Sequence, residues 1–200
     1  MEFMGIKLEP CLKVYKPCDD SFILGEALAA EVRKGEKVLD MGTGTGIQAL
    51  IAASKGGEVT AVDINNKAIE CLRYNAELNG LETRTIKSNL FSEINHSFDL
   101  IVFNPPYLPE DEMDSKDELT LAWDGGKDGR EVVDRFLEQF ESNLNRKGRV
   151  LLIQSSLNGL DSTMKKFKEL GFKPEIISQK NFFFEKLYVI RAGRFNDSIR

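Results

Sequence analysis

The chain has 200 residues, 42% of them hydrophobic and 30% charged, and its formal net charge at pH 7 is −5. This length and composition are typical of one globular domain with a sizeable core, and the acidic balance argues weakly against a nucleic-acid groove as the dominant surface, because phosphate binding normally goes with a basic excess. The sequence shows neither an apolar run of about 18 residues nor a basic leader followed by an apolar stretch, so we expect neither a membrane span nor a signal peptide.

The cysteines and the single histidine offer little for metal binding or cross-linking. Cys11, Cys18 and Cys71 are odd in number and lack Cys-x-x-Cys spacing. Together with His96 they predict neither a zinc site nor a disulfide framework. Free thiols are typical of a reducing compartment, so we expect a cytoplasmic protein.

Strands and helices alternate along most of the chain. The apolar patterns predict strands over residues 37–41, 58–62, 83–87, 98–103 and 149–154. Helices are predicted over residues 47–54, 66–79, 131–144 and 160–170. Two final runs, 175–178 and 186–190, are predicted to form a terminal pair of strands. This alternation predicts an α/β fold with a mostly parallel sheet and helices on both faces, whose ligands bind beyond the carboxyl ends of the strands.

The first predicted strand runs into a glycine-rich turn, Asp40-Met41-Gly42-Thr43-Gly44-Thr45-Gly46. The glycines permit a tight turn and allow a ligand to approach the backbone closely. A dinucleotide could use such a turn, but the GxGxG spacing and the acid before it favour S-adenosylmethionine, because a carboxylate attracts the amino group of a methionine and repels a pyrophosphate. We therefore expect Asp40, Gly42 and Gly44 to bind that cofactor.

Polar residues also follow the next two predicted strands. Asp63 is placed to accept hydrogen bonds from both ribose hydroxyls, or else to serve as an acid at the N-terminus of the following helix. Asn89 is placed to hydrogen-bond the edge of an adenine, with Leu90 or Phe91 against the flat face of the base. The alternative for Asn89 is a turn residue.

The fourth predicted strand ends in Asn104-Pro105-Pro106-Tyr107. Proline holds the preceding residue in extended geometry, so the carbonyls of Asn104 and Pro105 remain available. An Asn side-chain oxygen and a backbone carbonyl can each accept one N–H of a planar amide or amino group, and Tyr107 offers a flat face for it. Such a nitrogen is a poor nucleophile because its lone pair is delocalised, so these residues predict a site that positions it for methylation. The alternative is a proline-rich turn that closes a buried strand.

In combination, these motifs resemble the class I, seven-strand methyltransferases, and more narrowly the HemK-type protein glutamine methyltransferases of the archaeal and eukaryotic branch that modifies translation release factors. Further segments similar to that branch are Val14-Tyr15-Lys16-Pro17 with Asp19, Asp20, Ser21 and Phe22, residues 122–126 and 129–136, and a closing strand over residues 185–189. The resemblance implies a Rossmann-like, seven-stranded fold in one domain over residues 1–200. Residues 1–34 would cover the cofactor site and residues 35–200 would form the catalytic core.

The resemblance also implies a role for each matched residue. These are a hydroxyl near the methionine end of the cofactor (Ser21), the strand-end acid and first loop glycine (Asp40, Gly42), the ribose acid (Asp63) and the adenine-contacting pair (Asn89, Leu90). Asn89 departs from the family pattern, in which Asp is usual. Asn104 matches the residue that holds the substrate amide, and Pro105, Pro106 and Tyr107 complete that motif.

The reaction implied is N5-methylation of a glutamine side chain by S-adenosylmethionine without a metal, in the Gly-Gly-Gln motif of a class I release factor. Related enzymes bind a small zinc-containing activator that extends the sheet beside the third strand. Its place here would be residues 83–88, where Thr85 and Lys87 look solvent-facing. The alternative is an ordinary edge strand blunted by charge. Residues 182–184, all Phe, are a second candidate patch unless they belong to the core.

Other functions share parts of this pattern. Methylation of an exocyclic amine of adenine or guanine in RNA or DNA uses the same Asn-Pro-Pro-Tyr motif, but it favours a basic surface or an appended nucleic-acid module, and neither is visible. A third alternative is a Rossmann-like domain that is non-catalytic or binds a dinucleotide such as NAD.

The loop over residues 110–129 is acidic and contains glycines, and we expect it to become ordered on substrate binding.

Overall fold

A seven-stranded sheet organises the part of the chain that the computed structural model describes, residues 1–107, 126 and 129–194. Its elements, in chain order, are β1 (Glu2–Phe3), β2 (Ile6–Lys7), α1 (Asp19–Glu31), β3 (Lys37–Met41), α2 (Ile47–Ser54), β4 (Glu58–Asp63), α3 (Asn66–Asn79), β5 (Arg84–Lys87), β6 (Phe98–Phe103), α4 (Glu131–Gln139), a 3₁₀ turn (Phe140–Asn143), β7 (Leu144–Ser155), α5 (Leu160–Glu169), β8 (Phe172–Asn181) and β9 (Lys186–Arg194). The strand order in the sheet is β5-β4-β3-β6-β7-β9-β8. The first two strands form a separate small hairpin.

The sheet is parallel from β5 to β7, and β9 runs antiparallel to both β7 and β8. The predicted α/β, mostly parallel, Rossmann-like fold is therefore confirmed. From β3 the chain moves outward to β4 and β5, then returns to β6 on the other side of β3. This reversal of strand order opens a crevice at the carboxyl ends of β3 and β6, which is where ligands bind in open α/β sheets.

The two faces of the sheet are covered by different helices. Successive residues of a strand point to opposite faces, so Val38 packs with α1, α2 and α3 while Leu39 packs with α4 and α5. The second layer is rich in aromatic rings, and the ring of Phe136 lies 4.9 Å from that of Phe103 and 5.6 Å from that of Phe140. None of the helices in the described ranges is both long and apolar enough to cross a membrane.

Helix α1 was not predicted, although it turns out to matter for the site. Its apolar residues Ile23, Leu24 and Leu28 are buried against the sheet, and its polar residues Asp20 and Ser21 are buried as well. A helix buried on several sides has no clear polar stripe, so the periodicity on which helix prediction depends is missing.

Both ends of α1 are fastened to the rest of the fold. Near its start, the side-chain amide of Gln48 donates to the carbonyl of Ser21 at 2.8 Å. At its end, the guanidinium of Arg149 on β7 donates to Glu31 and to Glu36, each at 2.9 Å. The first turn of α1 is thereby held in a defined place beside the carboxyl end of the sheet.

The prediction of a single helix over residues 131–144 is wrong at its end. The helix stops at Gln139, a 3₁₀ turn follows, and Leu144 already begins β7 opposite Phe98. The buried side chain of Asn143 donates to the carbonyl of His96 at 3.1 Å, which fixes the turn. This non-local bond ends the helix earlier than its apolar pattern indicates.

The prediction that the cysteines form no disulfide is also wrong. Cys11 and Cys71 are bonded; their Cα atoms are 6.0 Å apart, and the two residues are 60 positions apart in sequence. The bond joins the N-terminal segment to α3, beside the buried side chains of Val14 and Ala68. Cys18 is exposed and free. Within the described ranges, no cluster of His, Cys, Asp and Glu is suited to hold a metal ion.

Candidate active site

A cavity of about 540 Å³ lies at the carboxyl ends of the parallel strands. Its walls come from the loops after β3, β4, β5 and β6, from the N-terminal segment and from the first turns of α4. Of the residues predicted to form the site, those on its walls are Ser21, Gly42, Gly44, Asp63, Asn89, Leu90, Asn104, Pro105, Pro106 and Tyr107. Residues from separate parts of the sequence, between Ser21 and Tyr107, are thus brought together because the carboxyl ends of parallel strands share one edge of the sheet.

The glycine-rich turn forms one wall with its backbone. Gly42 and Gly44 have φ angles of +67° and +55°, in the left-handed region that favours glycine. Gly46, with φ +91°, lies so close to α3 that an added Cβ would stand 2.4 Å from Leu72 Cδ1. The turn therefore needs glycine for its conformation at Gly44 and for packing at Gly46, and its backbone stays open to a ligand.

The carboxylate of Asp63 is held in one orientation at the end of β4. One oxygen accepts from the backbone N–H of Gly44 at 3.0 Å, and the other accepts from that of Asn65 at 2.8 Å. Burial raises the pKa of Asp63, and the hydrogen bonds from Gly44 and Asn65 oppose that shift. A fixed carboxylate on a cavity wall is suited to accept from two neighbouring hydroxyls.

Asp40 lies beneath the glycine-rich turn and not on the cavity wall, in contrast to the prediction that it touches the cofactor. Only 1% of its surface is exposed. One of its oxygens accepts from Thr43 Oγ1 at 2.6 Å and from the backbone N–H of Ala49 at 3.1 Å. Burial raises the pKa of Asp40 to about 7, against the lowering effect of these two bonds. Its position indicates that it fixes the turn to the start of α2.

The pair predicted to contact adenine lies on the wall, but the Asn89 oxygen already has a donor. The guanidinium of Arg135, on α4, donates to Asn89 Oδ1 at 3.0 Å. Leu90 has φ +49°, an unusual value for a residue with a side chain, and its carbonyl accepts from Ser88 Oγ at 2.7 Å. Arg135 was missed by the sequence analysis, because nothing local relates α4 to the loop after β5.

The Asn104 amide lies against a buried carboxylate that sequence analysis did not single out. Asp20, of which only 3% is exposed, accepts at one oxygen from Asn104 Nδ2 and from the Tyr107 hydroxyl, both at 3.1 Å. Its other oxygen accepts from the backbone N–H of Ser21 at 2.6 Å. Burial and the charge of Asp20 raise the pKa of the Tyr107 hydroxyl well above its ordinary value. Among the described residues, Asn104 Oδ1 is buried and has no hydrogen-bond donor.

Asp20 was named in the sequence only as a member of a longer motif. One sequence signal could have identified Asp20 as a site residue, namely its position next to Ser21, which was expected to lie near the cofactor. In a helix that starts at Asp19, both residues lie in the first turn. Without that helix, an acid 84 positions from Asn104 offers no sign of the contact.

The backbone of Tyr107 meets the start of α4. Its carbonyl accepts from Asn158 Nδ2 at 2.7 Å, and Gly129, at φ +70°, lies where an added Cβ would be 2.4 Å from that oxygen. Arg130 donates to the carbonyls of Asn158 and Gly159 and to Thr163 Oγ1. Arg130 therefore stabilises the structure that holds Tyr107. The predicted ordering of residues 110–129 lies outside the described residues, except for Gly126 and Gly129.

The two candidate partner surfaces lie at opposite edges of the sheet. β5 is an edge strand on which Lys87 is exposed, whereas Thr85 is half-buried and accepts from Arg73 Nε at 2.9 Å. At the other edge, the turn between β8 and β9 exposes 92% of Phe183 and 84% of Phe184, while Phe182 packs against the core. Phe183 and Phe184 are therefore surface residues, and they do not belong to the surface around β5.

Comparisons with known proteins agree with this arrangement. The family model described as Methyltransferase small domain matches residues 18–183. A Methanocaldococcus jannaschii protein, MJ0928, provisionally named a protein N5-glutamine methyltransferase, is 42% identical over 196 residues, covering 97% of this chain and 98% of that protein. Human methyltransferase HEMK2 is 31% identical over 190 residues, covering 89% of this chain and 88% of the human protein.

A solved structure extends the likeness to the fold. It is a chain of the E. cuniculi Mtq2–Trm112 complex, which is described as responsible for methylation of the eRF1 translation termination factor. That chain has a TM-score of 0.74 and 29% sequence identity, covering 92% of this chain and 100% of its own length.

Proposed function

The chain belongs to the methyltransferase small-domain family and, within it, to the HemK-type protein N5-glutamine methyltransferases, and we propose that it methylates a glutamine side chain in a class I translation release factor. The observation that carries this proposal is the Asn104 side chain on the cavity wall, whose oxygen is buried and has no donor among the described residues. A buried acceptor without a donor is unfavourable by about 1–3 kcal/mol, so the site is suited to a ligand that brings an N–H. A glutamine amide brings two.

We propose S-adenosylmethionine as the methyl donor. When bound, this cofactor supplies an electrophilic methyl group on a sulfonium sulfur. The open backbone at Gly42 and Gly44, the fixed carboxylate of Asp63 and the buried hydroxyl of Ser21 are residues that would hold it. At the adenine end, Leu90 would contact the base, and Asn89 would contribute its amide group while Arg135 occupies its oxygen.

The residues of the Asn-Pro-Pro-Tyr motif position the amide. Asn104 Oδ1 and the backbone carbonyl of Pro105 each accept one N–H of the glutamine, so that its nitrogen presents its π-face to the methyl group. Orientation of this kind can contribute about 7 kcal/mol or more to a bimolecular step. The nitrogen gains the methyl group that the cofactor gives up, which would leave S-adenosylhomocysteine as the second product. The nitrogen loses one proton to solvent, and that proton becomes acidic only as the new bond forms. No strong base is therefore needed from the chain.

We further propose a small, zinc-binding activator protein that pairs with β5. The E. cuniculi relative is described in complex with Trm112, and β5 is an edge strand of this sheet, with exposed Arg84 and Lys87. An edge strand offers free backbone groups to a partner strand.

We also propose that residues 1–200 act as one methyltransferase domain in the cytoplasm, where translation factors work. Val14, Tyr15 and Pro17 line the cavity, which supports a covering role for residues 1–34. Disulfides are rare in cytosolic proteins, so the bond between Cys11 and Cys71 removes the free-thiol argument for this location, which now rests on the proposed substrate.

Transfer of labelled methyl from S-adenosylmethionine to a purified release factor tests the function. The assay is run with and without a co-expressed activator, with the Gln→Ala release factor and bulk RNA as controls. We expect label on the Gln-containing factor alone. Label on RNA, or none on protein even with the activator, would contradict the proposed substrate.

A further inference from the structure

We propose that Asp20 is a positioning residue that sets the polarity of the Asn104 amide, so that its oxygen and not its nitrogen is offered to the substrate. This inference rests on the proposed function, because it concerns the group that accepts an N–H of the glutamine. It adds to that function a residue on α1, 84 positions from Asn104.

The two oxygens of Asp20 have separate partners. Oδ1 accepts from the backbone N–H and the hydroxyl of Ser21, at 2.6 and 3.1 Å, within the first turn of α1. Oδ2 accepts from Asn104 Nδ2 and the Tyr107 hydroxyl at 3.1 Å and from the Tyr15 hydroxyl at 3.4 Å. One oxygen thus serves the helix and the other serves the site.

The polarity of the Asn104 amide follows from the chemistry of its neighbour. The oxygen and nitrogen ends of an asparagine side chain have nearly the same shape, so packing alone does not distinguish them. An ionised carboxylate can only accept hydrogen bonds, so the nitrogen of Asn104 must face Asp20 and the oxygen must face away. That oxygen is the buried acceptor without a donor among the described residues.

The charge of Asp20 contributes in the same direction. A hydrogen bond to a carboxylate polarises the amide and makes Asn104 Oδ1 a stronger acceptor. Positive charge develops on the glutamine nitrogen as it is methylated, and a fixed negative group nearby stabilises that charge. Because Asp20 is almost fully buried, water does not screen this effect.

The neighbouring acid provides a matched control. Asp19 is also in the first turn of α1, but it is exposed and forms an ion pair with Lys180 at 2.8 Å. Asp19→Asn therefore removes the same charge from the same helical turn without altering any contact of Asn104.

Four variants of the full chain test the proposal: Asp20→Asn, Asn104→Asp, the double variant Asp20→Asn/Asn104→Asp, and Asp19→Asn. Asp20→Asn replaces the carboxylate by an amide whose nitrogen can face Asn104. The Asn104 amide can then rotate so that its oxygen and nitrogen exchange places. We expect kcat on the release factor to fall about 100-fold, as for loss of one positioned polar group. The affinity for S-adenosylhomocysteine and the melting temperature should stay close to those of the wild type.

The double variant exchanges the two groups. The carboxylate at position 104 can accept from the amide at position 20 with one oxygen and offer the other oxygen to the substrate. We expect kcat at least about 10-fold above that of Asp20→Asn, because one positioned acceptor is restored. Asn104→Asp alone places two carboxylates in contact and should remain less active than the double variant. Asp19→Asn should behave as the wild type.

The proposal is overturned if Asp20→Asn keeps the wild-type kcat, or if the double variant folds and is no more active than Asp20→Asn. If Asp20→Asn does not fold, the test compares kcat of the folded double variant with kcat of Asn104→Asp. The proposal then requires the double variant to be the more active of the two.

A wild type that leaves the release factor unmethylated would instead refute the proposed function. In that case, NMR signals of the Asn104 side-chain amide still test the polarity: we expect its Nδ2 protons to be protected from exchange in the wild type and unprotected in Asp20→Asn, and equal protection would refute the role of Asp20.

Discussion

The backbone N–H of Gly44 donates to the carboxylate of Asp63 at 3.0 Å. This bond joins the turn after β3 to the end of the neighbouring strand β4, so the open backbone and the fixed carboxylate form one rigid wall of the cavity. The sequence predicts a ligand contact for each residue separately. The bond between them shows that a change at Asp63 also affects the turn.

Asp63→Ala should therefore weaken cofactor binding far more than a single lost contact at the surface would. We expect the Kd for S-adenosylhomocysteine to rise about 10-fold to 100-fold, as for hydrogen bonds to a charged group, and titration calorimetry measures it. Asp99→Ala is the control, because Asp99 lies on β6 and bonds only Lys37 and Asn145 among the contacts found for its carboxylate. Unchanged affinity in Asp63→Ala would remove Asp63 from the cofactor site.

Asp40 should make stability depend on pH. Its pKa is about 7 in the folded chain against an ordinary value of 3.8, so between these values the folded state keeps a proton that the unfolded state has lost. The free energy of unfolding then falls by about 4 kcal/mol in total as pH rises through this window. Above the window it no longer changes with the titration of Asp40. Asp40→Asn has no such titration, while its amide oxygen can accept from Thr43 and Ala49.

Denaturant unfolding of the wild type and Asp40→Asn between about pH 4 and pH 8 measures this effect. The wild type should lose stability relative to the variant across that range. A difference between the two proteins that does not change with pH would show that Asp40 is ionised in the folded chain.

Gly129→Ala should disturb the carbonyl of Tyr107. The added Cβ would lie 2.4 Å from that oxygen and 2.2 Å from Asn158 Nδ2, in addition to the strain of its positive φ. Gly171→Ala is the matched control, since Gly171 also has positive φ but nothing lies within 4 Å of its Cβ position. We expect Gly129→Ala to lose about 1–3 kcal/mol more unfolding free energy than Gly171→Ala, together with methyltransferase activity. Equal losses would mean that the contact has no energetic weight.

Cys11→Ser should destabilise the chain by about 2–4 kcal/mol, because the bond to Cys71 restricts the unfolded state. Reductant should lower the melting temperature of the wild type to about that of the variant, and it should leave the melting temperature of the variant unchanged. Cys18→Ser is the control, since Cys18 is free and exposed. Because the bonded segment leads into Val14 and Tyr15 on the cavity wall, affinity for S-adenosylhomocysteine should fall as well. A wild type indifferent to reductant would contradict the bond.

Sequence alone predicts the elements whose structure is determined locally. The predicted bounds of β3, α2, α3 and β6 agree with the structure, because their apolar periodicity is clear and Gly80, at φ +61°, ends α3. The positions of Gly44, Asp63 and Asn104 on one cavity follow from the parallel sheet itself, whose strand ends meet at one edge.

What sequence could not give are relationships between distant residues. Asp20 contacts Asn104 across 84 positions, from a helix that Gln48 and Arg149 hold at its two ends. The Cys11 bond to Cys71 depends in the same way on how the N-terminal segment crosses α3. Asp40 has the predicted residue type at the predicted place, yet its side chain points beneath the turn, and that orientation is decided by Thr43 and Ala49.

The most direct test of the central claim is to locate the methyl group by tandem mass spectrometry after reaction of a release factor with the wild type and with Asn104→Ala. We predict one added methyl group on the side-chain nitrogen of the Gly-Gly-Gln glutamine with the wild type. With Asn104→Ala we predict a rate at least about 100-fold lower than that of the wild type, at unchanged affinity for S-adenosylhomocysteine. A methyl group on another residue, or an Asn104→Ala variant as active as the wild type, would contradict the account of this site.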